Sequence, residues 1–297
     1  MANIIENLFK EPLINGIMGD WGLGGVFEDV NELLNWTANK VGLSPSEFST
    51  EIAEDSGSAV TIFSFIQDVS ESVIVPIAGV ILTFIACWEL IQMVVDQNNF
   101  ANFDTSVFIK WIFKTAIAIL LVTNCFTITM AIFDLASEVI SGAGAFMTEF
   151  TGFTDEVLEQ FEDTLWEKDI GTLLLIFITS YIIRFAVLVL WISVFIVVYG
   201  RMIEIYLTVS LAPIPMATFG NKEQSQIGQN YLRTIAALAF QGFLMLLCVG
   251  IYALLLYAVT FSDDPLMSCW RLVGYTALLV YSLYRTGTLT KSIFGAH

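Results

Sequence analysis

Apolar and polar positions alternate along this chain in long blocks, not in the short periods of a soluble core. Five apolar runs stand out: Val73–Val95, Trp111–Phe133, Leu173–Tyr199, Thr234–Thr260 and Leu266–Tyr284. Each approaches or exceeds the roughly 20 residues that a helix needs to cross a bilayer. The longest, Leu173–Tyr199, is interrupted by one charge, Arg184. It is expected to end at Gly200-Arg201 and to resume as a second run through Glu204 to Thr218. Pro213 and Pro215 interrupt that second run, so a helix there should break near Ala212–Met216, because proline lacks the backbone donor and clashes with the preceding turn. Irregular backbone at membrane depth is tolerated only against protein or trapped water. The pattern therefore predicts an all-α polytopic membrane protein, with five full spans and one Pro-broken segment that is re-entrant or steeply tilted.

Between the runs the pattern changes to helical amphipathicity. Residues 1–71 place Ile4, Ile5, Leu8, Phe9, Leu13 and Ile17 near one helical face, then Phe27, Val30, Leu33, Leu34 and Trp36 on another. A helix start is written at Ser44-Pro45-Ser46-Glu47. Asp155–Asp169 gathers Val157, Leu158, Phe161 and Leu165 on one side. Four regions result: an acidic amphipathic region over 1–71, a two-span hairpin over 72–133, an acidic helical segment over 134–169, and a block over 170–297 holding the long span, the Pro-broken segment and two C-terminal spans. The N-terminal helices are expected to pack on the protein's own extramembrane face, since surface binders carry Lys and Arg on the polar face and these carry acids. Lys110, Lys114, Arg201, Lys222, Arg233, Arg285 and Lys291 share one side if the Pro-broken segment dips in and returns. The positive-inside rule then puts the N-terminus outside and the C-terminus in the cytoplasm of a multi-pass cell-membrane protein.

Composition narrows the function. Only 14% of the 297 residues are charged, against about 25% in soluble domains, and mean hydropathy is +0.75. Net charge is −17, which disfavours tight binding to a phosphate backbone that needs Lys and Arg to neutralise it. Any contact with nucleic acid is expected to be passage. Cys87, Cys125, Cys248 and Cys269 are scattered, with no CxxC and no neighbouring histidine; three of them lie well inside apolar runs, where a cysteine reads as a small buried hydrophobe.

Charges inside apolar runs are costly and mark functional positions by default. Glu89, Arg184 and, at the edge of the broken segment, Glu204 are such positions. A Glu89–Arg184 pair between neighbouring helices needs about a turn of vertical slack. Thr208 shares a face with Glu204, Asn124 and Gln241 sit within spans, and Pro213 and Pro215 break the helix. These eight residues are the candidates for a pore lining or a subunit seam. The competing reading is that the charges pair and fix helix register. No HExxH, GxSxG, P-loop or dinucleotide fingerprint is present, so no enzyme, metal or cofactor is expected, bound lipid aside. A secondary transporter or small-solute channel using the intramembrane Glu and Arg residues is the alternative, but transporters usually show paired interruptions in two similar halves, and here there is one.

The order of elements, the opening MANIIENLFK and the run Ser210-Leu211-Ala212-Pro213-Ile214-Pro215 resemble the TrbL/VirB-type membrane subunits of type IV secretion, in the compact form carried by mobile elements of Gram-positive bacteria. The resemblance implies a non-catalytic subunit of a conjugation channel that helps translocate single-stranded DNA with its attached relaxase. It also implies a homo-oligomeric ring, partner membrane subunits and separate ATPases.

Overall fold

A computed structural model describes residues 2–96, 105–144, 153, 155–221, 223–257 and 265–296. Lys222, most of the link between the first two spans, and the turn at Ser262-Asp263-Asp264 lie outside them. The chain is all-α, with no strand among the described residues. Twelve helices are described: α1 (Ala2–Met18), α2 (Leu23–Gly42), α3 (Pro45–Ser56), α4 (Ile62–Val69), α5 (Val75–Asp96), α6 (Thr105–Thr123), α7 (Cys125–Gly144), α8 (Asp155–Trp166), α9 (Ile170–Ser210), α10 (Pro213–Ala217), α11 (Ser225–Tyr257) and α12 (Pro265–Phe294). Five helical segments are long and apolar enough to cross a membrane: Ile62–Val95, Cys125–Gly144, Ile170–Ser210, Ser225–Tyr257 and Leu266–Phe294.

Local chemistry sets several of these boundaries. The Ser44 side chain accepts from the Glu47 amide while the Glu47 carboxylate accepts from the Ser44 amide, a reciprocal cap that opens α3. Gly57, at φ 65°, closes it in the left-handed conformation. A π turn over Ser70–Ile74 joins α4 to α5 just before Pro76, where the ladder has no amide to use. The Asp169 carboxylate accepts from the Gly171 and Thr172 amides and from the Thr172 hydroxyl, which caps α9.

Five predicted boundaries are corrected. The run Trp111–Phe133 is not one helix: it divides at Asn124, whose side-chain amide donates to the Leu120 carbonyl. The following helix α7 continues to Gly144, into the stretch that its acids marked as extramembrane. Asp134 and Glu138 both lie on its exposed face, while Met130, Phe133, Ala136 and Ile140 are buried. Helix α9 does not end at Gly200-Arg201. One glycine costs a helix only about 1 kcal/mol, too little to stop so apolar a run. The helix ends at Ser210, where Pro213 forces the ladder from i−4 to i−3 spacing: the Ala212 amide donates to Val209 and the Ile214 amide to Leu211. Likewise α11 begins at Ser225, nine residues before the run Thr234–Thr260, and α12 carries Arg285 and Lys291 beyond the run Leu266–Tyr284.

The chain divides into two compact units, and α7, α9, α11 and α12 each contribute residues to both. The first unit holds residues 1–42, 140–199 and 243–286. Its core is built from Ile14 and Ile17 of α1, Val26, Phe27, Val30 and Leu33 of α2, Phe161 and Leu165 of α8, and the inner faces of the long helices. Gly16 lets α1 approach Phe177 of α9, since a Cβ there would lie 2.6 Å from the ring. Asn31 holds residue 153 through both its backbone amide and its carbonyl, at 2.8 and 2.9 Å. Trp36 packs on Trp191, Phe195 and Tyr199, so α2 lies along the second half of the apolar run of α9.

The second unit holds residues 43–139, 200–242 and 287–297. Helices α5 and α6 form a hairpin that the Trp111 indole ties to the Ala86 carbonyl at 3.2 Å. The short α10 packs on both of them, with Ala212, Met216 and Ala217 buried against Ala78, Leu82, Ala118 and Val122. The Tyr206 hydroxyl donates to the Pro45 carbonyl at 2.5 Å, and Phe240 packs on Phe294.

Candidate functional site

In the second unit, two of the expected intramembrane charges find lysine partners. Glu89 of α5 pairs with Lys114 of α6, and Glu204 of α9 accepts from Lys291 of α12 at 2.7 Å. In the first unit, Arg184 lies 3.2 Å from the Asp29 carboxylate of α2. Glu89 and Arg184, expected as a possible pair, thus each have a counter-ion in their own unit. Gly25 makes the Arg184 arrangement possible, because a Cβ there would sit 2.2 Å from the guanidinium. Asp29, Glu32, Arg184 and Trp191 line a cavity of about 290 Å³ beside this pair.

The other candidates fall in the second unit. Thr208 turns its hydroxyl back to the Glu204 carbonyl, and its own carbonyl accepts from the Tyr231 hydroxyl at 3.3 Å. Pro213 and Pro215 sit in α10, where Pro213 is buried. The Thr218 hydroxyl donates to the Pro215 carbonyl and accepts from the Gly228 amide, which ties the end of the break to the start of α11. Asn124 is exposed at the α6–α7 break. Gln241 is buried, and its side-chain oxygen has no hydrogen-bond partner. Gly287 passes beside it, at 3.2 Å from a built Cβ to the amide nitrogen.

This arrangement brings Glu204, Thr208 and Lys291 together, leaves Glu89 and Asn124 elsewhere on the hairpin, and separates Arg184 into the first unit. Sequence reasoning missed the partners Asp29, Lys114 and Lys291. In the sequence Lys114 and Lys291 read only as bases of the cytoplasmic side, and Asp29 as one more acid of region 1–71. No disulfide joins the four cysteines; Cys125 and Cys269 are buried and Cys87 is exposed. Outside the spans, hydrogen bonds from Thr172 hold the Asp169 carboxyl below the usual carboxylate range.

A family described as TrbL/VirB6 plasmid conjugal transfer like protein matches residues 30–213, well over half of the chain. The chain belongs to the TrbL/VirB6 family. The match begins within α2 and ends at the first proline of α10, so it takes in Glu89, Asn124, Arg184, Glu204 and Thr208. No curated protein and no solved structure matches the chain. TrbL/VirB6 membership and five helices of membrane-crossing length make it a multi-pass membrane subunit of a conjugal transfer system.

Proposed function

We propose that this TrbL/VirB6 protein is a channel or scaffold subunit of a conjugative type IV secretion system, helping single-stranded DNA with its attached relaxase to cross the cell membrane. It does no chemistry; separate ATPases supply the energy, and several copies assemble into a ring with partner membrane subunits. The N-terminus lies outside and the C-terminus in the cytoplasm, as the distribution of lysines and arginines favours. The observation that carries the reading is the family match over residues 30–213 on a chain built almost wholly of long apolar helices.

Two physical features support it. A net charge of −17 repels a passing polyanion, which suits a conduit that must not retain its cargo. The Pro-broken end of α9 is sheltered by α5 and α6, as irregular backbone at membrane depth requires. The eight candidate residues, Arg184 and the Pro213–Pro215 segment foremost, belong on this reading to a lumen or a subunit seam.

The test is transfer from a donor whose only copy of the gene is the one supplied, combined with formaldehyde cross-linking of the transferred strand during mating. Loss of transfer on deletion, rescue by the intact chain, and DNA recovered with the chain are expected. Transfer that continues without the gene overturns the reading. Rescue without any DNA cross-link reduces the role to scaffolding.

A further inference from the structure

Along the α5–α6 hairpin of the second unit runs a groove of about 440 Å³, lined by Val75, Gly79, Thr83 and Cys87 of α5 and by Thr115 and Ile119 of α6, among others. We propose that this groove holds one acyl chain of an anionic phospholipid, whose head group rests at Lys110.

The lining decides that the occupant is apolar. Thr83 and Thr123 turn their hydroxyls back to the Gly79 and Ile119 carbonyls, at 2.8 and 3.0 Å, which leaves their methyl groups free to face the groove. The outer faces of both helices, including Val80, Phe84, Phe113 and Leu120, are exposed and apolar, so the groove opens toward hydrocarbon.

The dimensions decide that the occupant is thin. Fifteen helical steps from Val75 to Leu90 span about 22 Å, longer than one leaflet of a roughly 30 Å hydrocarbon core. A volume of about 440 Å³ drawn out over that length makes a long, narrow groove, the shape of an extended alkyl chain and not of an α-helix about 10 Å across.

The end of the groove decides the head group. Leu90 and Trp111 close it, and the indole is the interfacial side chain that marks the head-group level. Lys110, the residue before Trp111 in α6, is exposed, with no ion-pair partner among the described residues, while Lys114 is matched by Glu89. One unmatched lysine near a membrane surface favours an anionic over a neutral head group about fivefold.

The test is native mass spectrometry of the purified chain with phosphatidylglycerol and phosphatidylcholine of identical acyl chains, alongside copper-phenanthroline oxidation of Cys87, the exposed thiol in the groove. One retained lipid per chain is expected, with phosphatidylglycerol preferred about fivefold. Gly79→Leu fills the groove, and a Cβ at Gly79 meets nothing within 4 Å, so the hairpin should persist. This variant should weaken lipid retention at least tenfold; Thr83→Leu is the second filling variant if Gly79→Leu loses helical content. Lys110→Gln should keep the lipid and lose the head-group preference. The proposal is overturned by a wild-type chain that retains no lipid, by filling variants that retain it as the wild type does, or by Cys87–Cys87 dimers that form through the groove.

Discussion

The Arg184 guanidinium of α9 lies 3.2 Å from the Asp29 carboxylate of α2, 155 positions earlier in the chain. A cation in the middle of an apolar run is thereby neutralised by an acid from a helix that composition alone assigns to the exterior. Each side chain keeps about a third of its surface exposed, so the pair is weaker than a fully buried one. Arg184→Leu alone should destabilise the first unit by about 1–2 kcal/mol by stranding Asp29, and Arg184→Leu with Asp29→Leu should recover most of that loss. Thermal unfolding of the detergent-solubilised variants measures both. If transfer stays low in the stable double variant, the charges serve the machine and not only the fold.

Replacing Pro213 and Pro215 together by alanine restores the missing amides and removes the ring clash that ends α9. The helix should then extend past Ser210 and lift Met216 and Ala217 from their seat on α5 and α6. Hydrogen exchange of the α5–α6 hairpin should rise while membrane insertion is retained, and DNA transfer should fall at least tenfold. Unchanged exchange and transfer would show that the break is incidental.

Gln241 carries a buried side-chain oxygen without a hydrogen-bond partner. Such an atom costs about 1–3 kcal/mol if it stays dry. Gln241→Met removes the polar group at similar volume and should therefore raise the melting temperature or leave it unchanged. Where stability rises and transfer falls, the amide faces water or a second subunit in the assembled machine. Where both are unchanged or improved, Gln241 has no role in passage.

Asp169 caps the start of α9, and its carboxyl is held below the ordinary range by the Thr172 hydroxyl first and the Thr172 amide next. A lowered folded-state value means that the cap contributes fully above the unfolded value of about 3.9 and is lost as pH falls through the folded value. The Gly171 and Thr172 amides should therefore exchange faster, after correction for intrinsic rates, once the pH is taken below that window. Asp169→Asn keeps an acceptor and should remove the pH dependence; Asp169→Ala should fray the turn at every pH.

The signals that were local were legible in the sequence. The Ser44–Glu47 cap, the buried face of α8 at Phe161 and Leu165, and the helix break at Pro213 each depend on a few neighbouring residues. Gly200 misled because its penalty is small against the helical preference of the residues around it. Asp134 and Glu138 misled because two acids on one exposed face mimic the end of a span, although the opposite face of α7 stays apolar. The partners of Glu89, Arg184 and Glu204 were out of reach, since Lys114, Asp29 and Lys291 meet them only through tertiary packing.

Helix α9 has 41 residues and so measures about 61 Å, twice a roughly 30 Å hydrocarbon core. Large apolar side chains stay uncovered along it from Leu174 to Leu207, a stretch of about 50 Å that exceeds the core even at a 40° tilt. The surplus is greasy rod with no oil left to lie in. A chain purified alone should carry a detergent girdle taller than a bilayer's hydrocarbon core, to be displaced when its neighbours in the transfer machine close around it.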